Sequence, residues 1–304
     1  MKIAAITCFF NPVGYEVPIK NYYTFRDELT KDIHLYTAEL VFQSDFQIPG
    51  ALVKIRGDEK NLLWQKERLL NILIEKLKYR YDAIVWLDAD IIFDNDDWLY
   101  QTQKKLEKFS VVQLFETVGY LSSDRKLLDT KIGCVNKYLN NLECYGFPGF
   151  GWAARVECLP DFGLYDRNIV GASDSLLANA WLPNLMHPSY LYNKLLNKEM
   201  AEDYSEVQNK YLQLAKDGIS YIEGIAYHLY HGSMKNRDYL SRNKILLRNK
   251  FNPKEDIKLN ENGIWEWSSN KPDLHSDVRN YFLSRKEDEI CFQPVEGLVH
   301  TQYT

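Results

Sequence analysis

The segment from Ala83 to Phe93 constrains the fold more than any other part of the chain. Its first five residues, Ala-Ile-Val-Trp-Leu, are apolar and lead directly into Asp88, with Asp90 one position beyond Ala89. A short run of branched and aromatic side chains is typical of a strand buried on both faces, as in a parallel sheet covered by helices. In open α/β sheets, ligands bind beyond the carboxyl ends of the strands. The segment therefore predicts a buried strand that presents Asp88 and Asp90 to a ligand crevice.

The two carboxylates indicate a metal site. Carboxylates this close repel each other and lose solvation, and a hard divalent cation relieves both costs. Mg²⁺ or Mn²⁺, held by one or two carboxylates together with substrate phosphates, fits best. An EF-hand loop starting at Asp88 is excluded, because Phe93 replaces the required glycine and Leu99 the closing glutamate. The alternative, that Asp88 and Asp90 are ordinary loop or cap residues, stays open.

Composition excludes several classes of function. The chain has 304 residues and a formal net charge of -5, so no overall basic field recruits nucleic acid. The amino terminus does not have the pattern of a signal peptide, and no apolar stretch approaches the length of a membrane span. The cysteines lack C-x-x-C spacing and are odd in number, which indicates reduced thiols in a cytoplasmic protein. They are Cys8, Cys134, Cys144, Cys158 and Cys291.

The order of predicted elements indicates an α/β fold. Strand patterns alternate with helix patterns before residue 83, and the clearest helix covers residues 61–79. This order predicts a mainly parallel sheet with right-handed crossovers. Residues 141–154 contain four glycines or prolines at 146, 148, 149 and 151 and are expected to form a loop, whereas residues 235–250 are expected to form a basic helix.

Two stretches near the predicted crevice supply candidate nucleotide ligands. Asn11 and Tyr15 belong to a turn after the first strand, where an aromatic ring can stack on a base, although a simple hydrophobic turn is an equal alternative. Lys66, Arg68 and Asn71 lie off the apolar face of the helix over residues 61–79. A solvated face is the default for such residues, and contact with a phosphate or base is the functional alternative.

A glycine-rich stretch and the segment after it supply candidates for the substrate side. Glycines allow the backbone to approach a ligand closely, which makes Gly171 a candidate contact. Trp152 is a candidate platform for a sugar ring. Asp174 is predicted at a helix start, where it is either an N-cap or a carboxylate aimed into the pocket as a general base or hydroxyl acceptor.

The stretch around His231 is the last candidate. It ends a predicted strand and begins the predicted basic helix, where Lys235 and Arg237 would suit a diphosphate. An imidazole can join carboxylates on Mn²⁺. Strand alternation places His228 and His231 on opposite faces, so at most one is expected to bind metal. The adjoining Gly-x-x-Lys favours His231, and His228 is kept as a substrate contact.

These motifs resemble those of the metal-dependent GT-A glycosyltransferases, which use nucleotide-sugar donors. Arg68-x-x-Asn71 followed by Trp86-Leu87-Asp88-Ala89-Asp90 resembles their helix and Asp-x-Asp strand. Gly171-Ala172-Ser173-Asp174 is similar to their acceptor-side acidic motif. His231-Gly232-x-x-Lys235 is similar to the C-terminal element of some retaining members, although their histidine lies further ahead of the glycine. More closely, the full length resembles a family-2-like group of bacterial and phage proteins. The shared motifs are Phe-Asn-Pro-x-Gly-Tyr, Leu-Trp-Gln-Lys-Glu-Arg-Leu-Leu-Asn, Pro-Gly-Phe-x-Trp-Ala-Ala-Arg and His-Gly.

The resemblance implies a GT-A-like nucleotide-sugar-binding and catalytic domain over residues 1–234. A C-terminal extension, residues 235–304, would pack on it. The implied reaction transfers a sugar from a nucleotide diphosphate sugar, most simply a UDP-sugar, to an acceptor hydroxyl. In this interpretation Mn²⁺ or Mg²⁺ lies between the diphosphate and Asp88, Asp90 and His231. The acceptor stays open between a surface glycan and, for a phage enzyme, a hydroxymethylated DNA base. Two other classes are kept, a sugar nucleotidyltransferase and a non-catalytic carbohydrate- or nucleotide-binding protein.

Overall fold

The computed structural model describes residues 1–143, 146–239 and 241–289. Its strands are β1 Ile3–Phe10, β2 His34–Val41, β3 Val53–Arg56, β4 Ala83–Leu87, β5 Ile91–Phe93, β6 Val111–Gln113, β7 Thr117–Leu121, β8 Leu127–Ile132, β9 Gly151–Arg155, β10 Ile219–Tyr221, β11 Ile225–His228, β12 Ile257–Leu259 and β13 Trp265–Trp267. Its α-helices are α1 Glu16–Glu28, α2 Lys66–Leu77, α3 Trp98–Leu106, α4 Cys134–Leu139, α5 Ser173–Trp181, α6 Pro188–Tyr190, α7 Lys198–Leu214, α8 Lys244–Arg248 and α9 Pro272–Ser284.

A large sheet with the order β10-β6-β9-β4-β1-β2-β3 forms the centre of the described structure. Neighbouring strands are parallel except at β9, which runs antiparallel to both β4 and β6. Helices cover both faces. The predicted fold class, an α/β fold with a mainly parallel sheet flanked by helices, is confirmed.

Strand β4 is buried on both faces, as its apolar run predicts. Ile84 and Trp86 point into one core together with residues of α2, α5 and α7, and Val85 and Leu87 point into the core on the other face. All four side chains are at most 3% exposed. Two packed faces therefore explain why the strand is apolar at consecutive positions rather than at alternate ones.

The stretch over residues 141–154 is only partly the predicted loop. Its end forms strand β9, which lies between β4 and β6, while residues 144 and 145 lie outside the described part. Hydrogen bonding on both sides outweighs the weak strand preference of glycine and alanine. Small side chains are needed here, because a Cβ on Gly151 would lie 3.2 Å from the Leu87 side chain.

The predicted basic helix over residues 235–250 is wrong for most of its length. Residues 234–239 and 241–243 form turns, and only α8 is helical. Asp238 has φ 47°, a left-handed conformation that interrupts a helix. Arg237 and Arg242 are turned inward and are 3% and 7% exposed. Lys235 and Arg237 therefore do not start a helix.

The described residues after 234 pack on the central α/β structure. The Gln65 side chain donates to the Trp265 carbonyl at 2.7 Å and accepts from the Trp265 N–H at 3.1 Å. The Phe282 ring stacks on Trp64 with centroids 6.4 Å apart. Of the predicted extension over residues 235–304, residues 290–304 lie outside the described part. Within the described ranges, no helix combines the length and apolar character needed to cross a bilayer, and the described cysteines, Cys8, Cys134 and Cys158, are free thiols.

Candidate metal and nucleotide site

A second, smaller sheet brings the two predicted metal motifs together. Its order is β5-β11-β7-β8, and β11 runs antiparallel to β5, so that His228 pairs with Ile91. The Leu229 N–H donates to the Asp90 carbonyl at 2.8 Å. Asp90 immediately precedes β5, and His228 ends β11. The sheet therefore holds the carboxylate against a histidine that is more than 130 positions away in the chain.

Both histidines face Asp90. Asp90 Oδ2 lies 2.7 Å from His231 Nε2 and 3.5 Å from His228 Nε2. The expectation that strand alternation would separate the histidines is wrong, because β11 ends at His228 and strand geometry no longer applies at His231. Asp90, His228 and His231 offer ligand atoms that all lie within 4.8 Å of one another.

The two histidines differ in their ability to bind a cation. The Arg237 guanidinium donates from Nη1 to His228 Nε2 at 3.1 Å, so the lone pair that a metal would need is engaged. Burial, with Arg237 adding to its effect, holds the pKa of His228 well below its ordinary value, so this imidazole is neutral. Among the residues that the structure describes, no guanidinium donates to His231 Nε2. His231 is therefore the better metal ligand.

Asp90 has the charge and the open oxygen that a metal ligand needs. Burial alone would raise its pKa, but His228, His231 and Arg237 outweigh that effect and hold the pKa below the ordinary value. Its Oδ1 is buried without a hydrogen-bond partner among the described residues. An ionised oxygen without a partner is costly in a protein interior unless a cation binds it. The donor set of a carboxylate and an imidazole suits Mn²⁺ or a similar divalent ion.

A second carboxylate lies behind His231. Glu287 Oε1 is 3.4 Å from His231 Nδ1, and Arg285 Nε donates to the same oxygen at 2.6 Å. Burial opposes ionisation of Glu287, but Arg285 and His231 lower its pKa to about 2. A carboxylate on the far nitrogen of a metal-binding histidine fixes its tautomer and orientation. Sequence reasoning missed Arg285 and Glu287, because Arg-Lys-Glu-Asp looks like an ordinary solvated charge run.

Asp88 faces a different partner from Asp90. Lys66 Nζ lies 2.6 Å from Asp88 Oδ1 and 3.1 Å from Asp174 Oδ1. Burial opposes charge on Lys66, but Asp174 and Asp88 raise its pKa well above the ordinary value. The lysine therefore stays charged and joins the two carboxylates. The structure does not bring Asp88 into the cluster of Asp90, His228 and His231.

Asp174 is not an N-cap in this structure. Helix α5 is preceded by Ala172 in a left-handed conformation, φ 70°, and no side chain caps it. Asp174 instead lies in the first turn and turns its carboxylate to Lys66. About 26% of its side-chain surface is exposed, so the carboxylate is open to a ligand. The N-cap alternative for Asp174 is therefore wrong.

A pocket opens beside these groups, at the carboxyl ends of β1 and β4. Asn11 and Tyr15 line it, as predicted, but their polar atoms are engaged within the protein. Asn11 Oδ1 accepts from the N–H groups of Gly14 and Tyr15 at 3.1 and 3.0 Å. The Tyr15 hydroxyl lies 3.0 Å from the Leu283 carbonyl and 3.1 Å from the Lys286 N–H. The residues that line the pocket include Asn11, Tyr15, Trp64, Lys66, Asp88, Asp90, His231, Phe282, Arg285 and Glu287.

Arg68 and Asn71 are held away from this pocket, which corrects the interpretation of both as nucleotide ligands. Arg68 Nη1 lies 3.2 Å from Asp166 Oδ2. Asn71 donates to the Leu164 carbonyl at 2.8 Å and accepts from the Leu164 N–H at 2.7 Å. The spacing on α2 correctly places Arg68 and Asn71 outside its apolar face. That side of the helix contacts the loop with Leu164 and Asp166 rather than a ligand.

We expect Asn71→Ala to destabilise the fold by about 2–4 kcal/mol, because both backbone groups of Leu164 lose a buried partner. Urea denaturation measures this loss of unfolding free energy. The control is Asn270→Ala at an exposed site. A loss below about 0.5 kcal/mol, within the range of ordinary surface substitutions, together with weakened nucleotide binding would return Asn71 to the ligand set.

The remaining candidates are not among the residues that line the pocket. Trp152 is 2% exposed, and its ring packs on Trp181 in the core, so the interpretation as a sugar platform is corrected by its burial. Gly171 has φ 89° and leaves room for a guanidinium, since a Cβ there would lie 2.9 Å from Arg242 Nη1. Lys235 is exposed, and Arg237 is buried against His228 rather than in the pocket lining.

Comparisons with known proteins find remote structural likeness. No protein-family model matches the chain, and no curated protein matches it. Among solved structures, S. aureus TarS is 12% identical with a TM-score of 0.41, over 94% of this chain and 71% of that one. A Mycobacterium tuberculosis glucosyl-3-phosphoglycerate synthase, crystallised with Mn²⁺, UDP and phosphoglyceric acid, is 13% identical with a TM-score of 0.37, over 85% and 81%. A Drosophila β1,4-galactosyltransferase 7 mutant, in complex with manganese, UDP-Gal and xylobiose, is 12% identical with a TM-score of 0.40, over 90% and 99%.

Proposed function

We propose that this protein is a metal-dependent glycosyltransferase of the GT-A type, in the family-2-like bacterial and phage group. It would transfer a sugar from a nucleotide diphosphate sugar, with a UDP-sugar as the favoured donor, to an acceptor hydroxyl. One observation carries the proposal. Asp90 Oδ1 is buried without a hydrogen-bond partner in the described part of the chain, and Asp90 Oδ2 is 2.7 Å from His231 Nε2, beside a pocket at the carboxyl ends of two parallel strands.

In this proposal Asp90 and His231 hold Mn²⁺ or Mg²⁺. When bound, the cation neutralises charge on the diphosphate leaving group. Glu287 would orient His231, and Lys66 would hold Asp88 on the donor side of the site. His228 stays neutral and supports Asp90. Binding and orientation of the donor supply much of the remaining rate enhancement.

Asp174 is the carboxylate proposed to face the acceptor. In an inverting enzyme it would take the proton from the attacking hydroxyl as the bond to the sugar forms. In a retaining enzyme it would hold a donor hydroxyl. The Lys66 ammonium contacts both Asp174 and Asp88, so one lysine links the proposed acceptor side of the site to its donor side.

The structure offers little support for a sugar nucleotidyltransferase. That chemistry needs a Gly-rich loop after the first strand whose free N–H groups bind phosphate. Here the Gly14 and Tyr15 N–H groups donate to Asn11, so they are already engaged. A non-catalytic binding protein would not need a carboxylate like Asp174 at the acceptor side.

The products formed from a nucleotide sugar test the proposal. We expect the protein, incubated with UDP-glucose or UDP-galactose and Mn²⁺, to release UDP slowly to water and faster with a matching acceptor. Mass spectrometry separates the classes, because a nucleotidyltransferase with added pyrophosphate would form UTP and a sugar phosphate instead. UTP formation, or binding of nucleotide sugars without turnover in the presence of a broad acceptor panel, would contradict the proposal.

Glu287 provides a further prediction about the metal site. We expect Glu287→Gln to weaken Mn²⁺ binding in the presence of UDP by about 10–100-fold, because His231 loses the group that fixes its orientation. Electron paramagnetic resonance of free Mn²⁺ during titration measures the affinity. Glu289→Gln, an exposed carboxylate two positions away, is the matched control. Equal Mn²⁺ affinity in both variants would show that Glu287 does not support the metal site.

A further inference from the structure

Three arginines, Arg237, Arg242 and Arg285, contact residues of the site or line its pocket. They differ in their counter-ions. Arg285 is paired with Glu287. Arg237 contacts His228 and the Tyr239 hydroxyl, and the charge of Asp90 acts on it. Within residues 1–143, 146–239 and 241–289, Arg242 is the one of the three without an acidic group acting on it in a described contact.

Arg242 is held by neutral groups. Its Nη1 donates to the Tyr281 hydroxyl at 3.1 Å, and its guanidinium lies over the rings of Tyr239 and Trp64 at 4.9 and 5.9 Å from their centroids. Its Nε is buried without a hydrogen-bond partner among the described residues. The side chain is 93% buried, as the residue is 7% exposed. A charge desolvated in this way without a counter-ion is costly.

A second guanidinium converges on the same phenol. Arg285 Nη1 donates to the Tyr281 hydroxyl at 3.2 Å, and the Arg285 guanidinium lies 5.2 Å from the Trp64 ring centroid. Burial alone would raise the pKa of Tyr281, but Arg242 and Arg285 outweigh it and lower the pKa. Two guanidinium groups therefore converge on one phenol. The charge of Arg285 is paired with Glu287, so among the described residues it is the charge of Arg242 that favours an anion.

The position of Arg242 relates it to the acceptor side. Its guanidinium fits against Gly171, three residues before Asp174. Trp64, which it contacts, lines the pocket together with Lys66. Arg285 and Glu287 line the same pocket as Asp90 and His231. Arg242 therefore lies against the backbone just ahead of Asp174, the carboxylate proposed to face the acceptor.

We propose that Arg242 and Arg285 form a binding site for an oxyanion, a phosphoryl or carboxylate group, that the acceptor carries. The assignment to the acceptor rests on the proposed function, whereas the oxyanion site itself does not. Guanidinium forks match these groups geometrically and form charge-assisted hydrogen bonds to them. The donor diphosphate has the same chemistry, so the test must distinguish the two sources.

Inorganic phosphate is the probe, and thermal unfolding in Mg²⁺ buffer is the readout, with and without saturating UDP. We expect phosphate to raise the Tm of the wild-type protein in both conditions, because a ligand that binds the native state stabilises it. Arg242→Met should lower phosphate affinity about tenfold or more without lowering the Tm of the ligand-free protein, since it removes an unpaired buried charge. Arg242→Lys should also weaken phosphate binding, because the fork is lost. Arg279→Gln, at an exposed arginine on α9, should change nothing.

Three results would overturn the proposal. The first is that phosphate does not raise the Tm of the wild-type protein, and the second is that it stabilises both Arg242 variants as much as the wild type. A phosphate effect that vanishes once UDP and Mg²⁺ bind would assign the oxyanion to the donor. If Arg242→Met does not fold, Arg242→Lys decides the question. A phosphate effect that depends on Arg242, in a protein that does not bind UDP, would support the oxyanion site and contradict the proposed function instead.

Discussion

Asp90→Asn should abolish metal-dependent nucleotide binding and leave the fold intact. The substitution keeps the shape of the side chain and removes the charge that pairs with a cation. We expect the affinity for UDP in Mn²⁺ to fall by more than about 100-fold, beyond the 10–100-fold typical for an outer-shell partner. Isothermal titration calorimetry with and without Mn²⁺ measures this change.

Asp96→Asn is the matched control for Asp90→Asn, because Asp96 lies six positions further along the chain and is exposed. It should bind UDP as the wild-type protein does. Circular dichroism and the unfolding midpoint establish that both variants fold. Retained metal-dependent affinity in a folded Asp90→Asn variant would remove Asp90 from the metal site.

Asp174→Asn should slow transfer by about 10²–10⁴-fold if Asp174 is the general base. Asparagine still accepts a hydrogen bond from Lys66 but cannot take a proton. The expected pattern is a large fall in kcat with donor affinity within about threefold of wild type, since an interaction made only in the transition state leaves ground-state binding unchanged. Steady-state kinetics with a working acceptor, together with donor titration, separates the two quantities.

A different pattern would identify a different role for Asp174. A higher KM for the donor with a modest change in kcat would fit a carboxylate that holds a donor hydroxyl, as in a retaining enzyme. Asp161→Asn, at an exposed aspartate, should leave both parameters unchanged. Turnover near the wild-type rate in Asp174→Asn would show that this carboxylate only orders Lys66.

The fold could be predicted from the sequence where a pattern depends on burial. The apolar run of β4 follows from packing on both faces, and α2 follows from its apolar stripe. Strand β9 could not be predicted, because glycine and alanine have a weak strand preference. These small residues fit there because β9 packs closely between β4 and β6. The turns over residues 234–239 and 241–243 could not be predicted, because inward-facing arginines look the same in sequence as solvated ones.

The candidate site could be predicted in part, because its anchor residues belong to local motifs. Asp90 and His231 meet as the motifs indicated. The partners of α2 could not be predicted, since Asp166, which engages Arg68, is almost a hundred positions away. Glu287 and Arg242 could not be predicted either. Their importance comes from what they contact, and no local spacing in the sequence records a long-range contact.

The central claim is that Asp90 and His231 make nucleotide-sugar binding dependent on a divalent metal. Thermal unfolding of the whole chain with a panel of nucleotide diphosphate sugars, with Mn²⁺ or with EDTA, tests it most directly. We predict that at least one nucleotide sugar raises the Tm with Mn²⁺, and that EDTA or Asp90→Asn removes the shift. A shift of equal size in EDTA, or no shift with any nucleotide sugar in Mn²⁺, would contradict the claim.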